Sequence, residues 1–289
     1  MQIPAYFHPS YAPADVPLLA RLATTHQRLK RLGLITTQVA QPLSPTQLQG
    51  LHDPAYLDAF IEGREPLASK QGIPWQPNIR DATLAMLGAQ TQAAQALFGT
   101  QGVALNVARG FHHAHPAAGS GFCPINGLAL VAHLWPQKRI LVIDCDEHGG
   151  NGTEEFAALM PNLFNVSLFG TRFGCRGGTR SWAFHITARQ GFGAYQQALA
   201  TTAQLVAQIK PDLVLYQAGA DCHQADPKSQ LKLSTRQLFW RDLYVFSLAK
   251  SLRLPVLFVL AGGYQNAEKV AYLNANTVRA ARWVCGSKK

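Results

Sequence analysis

Two aspartates and a histidine, Asp144, Asp146 and His148, follow the apolar run 140–143, which is typical of a buried strand. Side chains on an extended chain alternate between its two faces, so these three can point the same way. Two carboxylates and an imidazole at the end of a strand suit a divalent metal ion, and the following glycines allow an open loop around it.

Further reactive side chains follow other predicted strands: His112 and His113 after 103–107, Asp221 after 212–216, and Tyr264 after 256–260. If the strands are parallel, all of these loops emerge at one edge of the sheet. The C-terminal edge of a parallel sheet is where α/β proteins place their chemistry. The sequence therefore predicts one site that combines these residues.

Asp221 is the best candidate for a third metal ligand beside Asp146 and His148, because it also follows an apolar strand and Gly219 leaves room for close approach. A catalytic metal site usually keeps three protein ligands and one open position. Two oxygens and one nitrogen suit Zn²⁺ or Fe²⁺. Taken alone, however, Asp221 would also suit the N-cap of a following helix.

Adjacent histidines at 112 and 113 suit general acid–base catalysis, because the reference pKa of histidine lies near neutral pH. The hydroxyl of Tyr264 could donate to a developing oxyanion, although a tyrosine alone more often packs half-buried. Four other histidines have no evident partner in the sequence and are expected to be structural or solvated: His52, His115, His185 and His223.

The elements that must position these residues alternate from residue 103 onward. Strands are predicted at 103–107, 139–143, 163–167, 212–216 and 256–260, and helices at 79–98, 124–135, 152–159, 192–209, 234–251 and 266–284. Nearer the N-terminus, leucines at helical spacing predict a helix that stops at Gly33. Two further residues, Ser44 and Asp53, are N-cap candidates. Segment 64–78 is expected to form an ordered loop. This alternation predicts a single doubly wound α/β domain over 1–289, with a mainly parallel sheet and helices on both faces.

Composition narrows the class of protein. The chain has 289 residues, of which 47% are hydrophobic, enough to bury a large core. Its net charge of +10 comes from scattered basic residues, so nucleic-acid binding is not expected. No apolar run is long enough to span a membrane. No secretion signal is expected, because the first residues lack a basic segment followed by an apolar one, and five cysteines without a Cys-x-x-Cys pair favour a reducing cytoplasm.

Motifs spread over nearly the whole chain resemble the zinc-dependent histone deacetylase family of the arginase/deacetylase superfamily, in the family's order: 51–57, 110–114, 120–123, 143–148, 151–153, 219–221 with 226–227, and 262–264. The loop 72–75 and the approach 106–113 look most like the class IV branch and its prokaryotic relatives. The resemblance implies a metal-dependent amide hydrolase that removes acetyl or longer acyl groups. Its substrate would be an acylated lysine on a protein or peptide, or a small acylated amine such as an acetylated polyamine.

The resemblance also implies roles for individual residues. Asp146, His148 and Asp221 would hold Zn²⁺, with Fe²⁺ as the alternative. His113 would be the general base, paired with Asn151. His112 would be its electrostatic partner, oriented by Asp144, and Tyr264 would stabilise the oxyanion. Two further groups are implied: Gly121 and Phe122 along the substrate channel, and Asp144, Asp146, His148, Ser167 and Leu168 around a structural K⁺.

The chain departs from the family pattern at several places. Gly149 stands where a histidine or glutamine is usual, and Asn151 stands where many members have an aspartate. Segment 168–185 does not match the usual channel wall, and Phe173 is a candidate for its aromatic. Three arginines and several aromatics there could favour an acidic or unusual substrate. Two other functions compete: an arginase-like hydrolase, which needs more metal ligands than the sequence offers, and a non-catalytic acyl-lysine-binding protein, which needs no proton shuttle.

Overall fold

Eight strands, all paired in parallel, form one sheet in the computed structural model, which describes residues 1–286. Along the chain the strands are β1 (Ile3–Tyr6), β2 (Ile35–Gln38), β3 (Val103–Asn106), β4 (Ile140–Asp144), β5 (Leu163–Phe169), β6 (Ser181–His185), β7 (Leu213–Gln217) and β8 (Val256–Val259). Their order across the sheet is β2-β1-β3-β8-β7-β4-β5-β6.

Helices connect these strands and cover the sheet. The α-helices are α1 (Pro17–Arg31), α2 (Pro54–Glu62), α3 (Pro77–Leu97), α4 (Gly127–Leu134), α5 (Asn151–Leu159), α6 (Gly191–Ile209), α7 (Thr235–Ser251) and α8 (Ala267–Gly286). No helix among residues 1–286 is both long and apolar enough to cross a membrane.

The central strands carry the residues of interest to a common edge. Every residue of β4, β7 and β8 is buried, which explains their continuous apolar sequences, since a strand covered on both faces has no solvent-facing side. The register aligns Asp144 of β4 with Gln217 of β7, and Gln217 with Val259 of β8. The loops that follow these three strands therefore begin at the same level of the sheet.

The predicted α/β fold with a parallel sheet is confirmed, and the five predicted strands are present with ends shifted by one or two residues. Asp53 caps α2 by accepting from the backbone N–H groups of Ala55 and Tyr56. Helix α4 begins at Gly127, later than predicted, because Asn126 is its N-cap: the Asn126 side chain accepts from the backbone N–H of Leu128. The last three residues of the predicted domain lie outside the described part of the chain.

Three strands were not predicted: β1, β2 and β6. They are four or five residues long, and β2 and β6 lie at the two ends of the sheet, where only one neighbouring strand pairs with them. Each of these edge strands buries only one residue fully and mixes apolar with polar residues.

Candidate active site

The three predicted metal ligands lie together beyond β4 and β7. The Nδ1 atom of His148 is 3.2 Å from Asp146 Oδ1 and 3.3 Å from Asp221 Oδ2. One ligand atom from each residue lies within 4.8 Å of the other two. Both aspartates are buried. Two carboxylates and one imidazole nitrogen thus face one small volume, as the sequence predicts.

The charges in this cluster fit a bound cation. Asp221 Oδ2 is buried, and its 3.3 Å contact with His148 Nδ1 lacks hydrogen-bond geometry. Burial and the neighbouring Asp146 carboxylate raise the pKa of Asp221 to about 6. Burial alone would lower the pKa of His148, but the two aspartates outweigh it and raise this pKa to about 10. Two buried carboxylates are costly without a compensating positive charge, and a divalent ion with oxygen and nitrogen ligands would supply that charge.

Two glycines allow the ligands to approach so closely. A Cβ atom at Gly219 would lie 2.6 Å from the Asp146 Cα, and one at Gly262 would overlap Asp221 Oδ2. The backbone N–H of Gly262 instead donates to Asp146 Oδ2 at 2.7 Å. Any side chain at these positions would displace a ligand, which is the close-approach role that the sequence assigned to Gly219.

A buried arginine joins the two loops that carry the candidate metal ligands. Arg241 of α7 donates through Nη1 to the carbonyl oxygens of Cys145, at 3.0 Å, and Gly219, at 2.8 Å. Its charge is paired with Asp242 at 2.8 Å. The sequence reasoning missed this residue. The sequence does contain a sign of it: Arg241 and Asp242 fall on the face of α7 that otherwise carries buried apolar residues such as Leu238 and Val245.

His112 forms a buried ion pair. Its Nδ1 lies 2.7 Å from Asp144 Oδ2, and both side chains are almost fully buried. Burial opposes a charged ring, but the carboxylates of Asp144 and Asp146 together outweigh it and raise the pKa of His112. The arrangement stabilises an imidazolium at position 112, next to the candidate metal ligands.

His113 is in the opposite electrostatic state. Burial, and then the charge of neighbouring His112, hold the pKa of His113 well below its usual value. Its Nδ1 lies 2.7 Å from Asn151 Oδ1, and the two imidazole rings are 3.9 Å apart between centroids. The adjacent histidines therefore differ: the protonated form of His112 is favoured, as suits an acid, and the neutral form of His113 is favoured, as suits a base.

Tyr264 lies on the loop after β8, with its ring centroid 6.1 Å from that of His148. Its backbone N–H donates to Asp226 Oδ2 at 2.7 Å, which fixes the loop. Burial raises the pKa of Tyr264, so the phenol keeps its proton and remains a hydrogen-bond donor.

Two buried arginines lie near this tyrosine, and the sequence reasoning missed both. The Arg21 guanidinium carbon is 5.8 Å from the Tyr264 ring centroid, and its Nη2 donates to the carbonyl oxygen of Ala261 at 3.1 Å. Burial and then the charge of Arg109 lower the pKa of Arg21 to about 10. Arg21 Nε and Nη1 and Arg109 Nη1 are buried without hydrogen-bond partners.

Two of the predicted channel residues, Gly121 and Phe173, lie against His113. A Cβ atom at Gly121 would lie 2.9 Å from His113 Cγ, so only glycine fits against this ring. Phe122 follows, with its backbone N–H bound to the carbonyl oxygen of Gln71. Phe173 lies over His113 at 4.1 Å between ring centroids and is 41% exposed. Phe173 is thus an exposed aromatic beside the candidate base, and its role in a substrate channel stays a prediction.

Segment 170–178 carries Phe173 and packs closely against Gly149. Glu154 of α5 holds this segment, accepting from the backbone N–H groups of Arg176, at 2.9 Å, and Gly177, at 2.7 Å. The sequence reasoning gave Glu154 no role. The Arg172 guanidinium donates to the carbonyl oxygen of Cys175 within the segment. Arg180, just after the segment, donates to the carbonyl oxygen of Ala157 in α5.

The residues assigned to K⁺ are also brought together. Asp144 pairs with Ser167 across β4 and β5, with Leu168 next in β5. The Asp144 carboxylate accepts from the backbone N–H of Asp146 at 3.1 Å. Ion binding at this second position stays a prediction.

Comparison with known proteins agrees with the fold and the motifs. The acetylpolyamine aminohydrolase from Burkholderia pseudomallei superimposes with a TM-score of 0.80, over 98% of this chain and 99% of that chain, at 19% sequence identity. The two proteins therefore share a fold. The family model "Histone deacetylase domain" matches residues 18–281, and the chain belongs to the histone deacetylase family.

Curated relatives support the same assignment. An uncharacterized protein of Picosynechococcus sp. is 32% identical over 98% of this chain and 99% of its own length. Histone deacetylase 10, chloroplastic, of Oryza sativa subsp. japonica is 27% identical over 93% of this chain and 67% of its own length. The predicted family is confirmed, whereas its class IV branch stays a prediction.

Proposed function

We propose that this protein is a zinc-dependent deacylase that hydrolyses the amide bond of acylated lysine side chains or of small acylated amines. The observation that carries the proposal is the pair of adjacent histidines, His112 beside Asp144 and His113 beside Asn151, next to the Asp146, His148 and Asp221 cluster. Their surroundings shift the two pKa values in opposite directions. Amide hydrolysis needs both a base and an acid, and a protein that only bound acyl-lysine would need neither.

The roles proposed for the site follow from its contacts. A divalent ion held by Asp146, His148 and Asp221 would supply Lewis acidity toward the substrate carbonyl and lower the pKa of the attacking water. His113 has its Nδ1 engaged by Asn151, so its Nε2 is the atom that would take the proton from water and pass it to the leaving amine.

The remaining residues would stabilise the transition state. The His112 imidazolium, held by Asp144, would place positive charge beside the developing oxyanion. The Tyr264 hydroxyl would donate a hydrogen bond to the same oxygen. Phe173 and Phe122 would contact the aliphatic stem of the acylated amine. A structural K⁺ at Asp144 and Ser167 and a cytoplasmic location belong to the same proposal; the latter is supported by five free cysteines.

A hydrolysis panel tests this function. The metal-loaded protein is incubated, with and without chelator, with acetyl-lysine peptides, longer acyl-lysine peptides and acetylated polyamines. We expect turnover of at least one member and its loss with chelator. The panel also separates peptide substrates from polyamines. Binding of acyl-lysine peptides without any turnover would favour the non-catalytic alternative.

A further inference from the structure

Four polar side chains form a row from the candidate base to the surface: His113, Asn151, His115 and Glu155. Asn151 Oδ1 is 2.7 Å from His113 Nδ1, and Asn151 Nδ2 is 3.1 Å from His115 Nε2. The other ring nitrogen of His115, Nδ1, lies 2.8 Å from Glu155 Oε1. His115 is only a quarter exposed, whereas Glu155 is about half exposed.

The row has a defined direction of hydrogen bonding. A carboxylate only accepts, so the Glu155 contact places a proton on His115 Nδ1 and leaves Nε2 of the neutral ring as an acceptor. The Asn151 amide then donates to His115 through Nδ2 and turns Oδ1 toward His113. His113 must in turn carry its proton on Nδ1, which leaves the lone pair on Nε2.

This direction matters because an amide, unlike a carboxylate, has one donor end and one acceptor end. Rotating the Asn151 amide by half a turn would present Nδ2 to His113 and force the opposite tautomer on that ring. Within residues 1–286, the Asn151 side chain hydrogen-bonds to His113 and His115. His115 is therefore the group that selects between the two amide orientations.

We propose that His115 is a positioning residue for the deacylation reaction: it fixes the Asn151 amide and, through it, the tautomer that makes His113 Nε2 a base. The inference rests on the proposed function for its kinetic consequence, but the tautomer itself is independent of any substrate. An aspartate at position 151 would need no such support, because either of its oxygens can accept from His113.

The test replaces His115 by a side chain that can only donate. In His115→Lys, the ammonium group would draw Asn151 Oδ1 toward itself and turn Nδ2 toward His113. We expect kcat to fall about 10²-fold, the lower range of what general acid–base catalysis contributes, with KM nearly unchanged. In His115→Gln, the amide oxygen can accept from Asn151 Nδ2, so most of this loss should be recovered.

A second substitution separates positioning from simple damage. Adding Asn151→Asp to His115→Lys should restore most of kcat, because the carboxylate accepts from His113 in either orientation. His133→Lys adds the same charge at a histidine whose Nε2 contacts the carbonyl oxygen of Gln49, and should leave kcat unchanged. Equal losses of kcat in His115→Lys with and without Asn151→Asp would overturn the proposal.

A spectroscopic measurement tests the tautomer without any turnover. Nitrogen-15 shifts of the metal-free protein distinguish Nδ1–H from Nε2–H imidazole, and His113→Gln identifies the His113 signals. We expect Nδ1–H in the unsubstituted protein and in His115→Gln, and Nε2–H in His115→Lys. An unchanged tautomer in His115→Lys would refute the inference, even if every substrate in the panel were hydrolysed. The expected change would support it even if the panel showed no activity.

Discussion

Replacing Gly149 by alanine tests how segment 170–178 is held over the candidate site. A Cβ atom at position 149 would lie 2.5 Å from Cys175 Cβ, 2.7 Å from the carbonyl oxygen of Arg172 and 3.1 Å from Phe169 Cδ1. Ordinary contact begins at 3.4 Å, so the segment would have to move by about 0.9 Å at Cys175. Overpacking of this kind costs about 1–3 kcal/mol.

The displacement should also affect activity, because Phe173 lies between Arg172 and Cys175 and its ring contacts His113. We expect Gly149→Ala to lower the free energy of unfolding in urea by about 1–3 kcal/mol and to reduce kcat/KM for the best substrate. A histidine at 149, as in many family members, should cost more, since it adds a ring to the same contact.

Gly178→Ala is the matched control for this prediction. It lies in the same segment, but a Cβ atom there would have nothing within 4 Å, so both stability and kcat/KM should stay near the unsubstituted values. If Gly149→Ala unfolds at the same urea concentration as Gly178→Ala and retains full activity, the reasoning about segment 170–178 is wrong.

Other expected outcomes concern the reacting groups and their support. Tyr264→Phe should lower kcat about 10²–10³-fold, as for loss of one oxyanion donor, while the zinc content measured by elemental analysis stays the same. A pH profile of kcat/KM should fall as the pH drops through the pKa of His113, because the protonated ring cannot accept a proton; burial places this limb below the usual histidine range. Asn151→Asp puts a negative charge beside His113 and should move that limb to higher pH. Arg241→Met leaves the Asp242 carboxylate buried and unpaired, so it should cost about 3–5 kcal/mol in urea unfolding and weaken zinc binding measured by calorimetric titration.

Much of the fold and of the candidate site could be predicted because the evidence for them is local. The apolar run before Asp144 identifies β4, and strand periodicity brings Asp146 and His148 to one edge of the sheet. Asp221 and Tyr264 follow strands of the same kind. The edge strands β2 and β6 were not predicted because each is short, only partly buried and mixed in polarity.

The missed residues share a different property: they act across long separations in the chain. Arg241 of α7 contacts the carbonyl oxygen of Cys145, 96 positions earlier. The residue pattern of α7 does not indicate that partner. His115 reaches Asn151 over 36 positions. Which polar groups meet in this way depends on how the sheet orders its strands, and that order is nonlocal.

The substitution at position 151 shows why such contacts matter for function. In the sequence, Asn151 reads as a weakened version of the usual aspartate, because a neutral amide raises the basicity of His113 less than a carboxylate would. The structure adds a second consequence, since an amide must also be oriented, and His115 with Glu155 supplies that orientation. A chain with asparagine at this position therefore needs an acceptor on the far side of the amide, whereas a chain with aspartate does not.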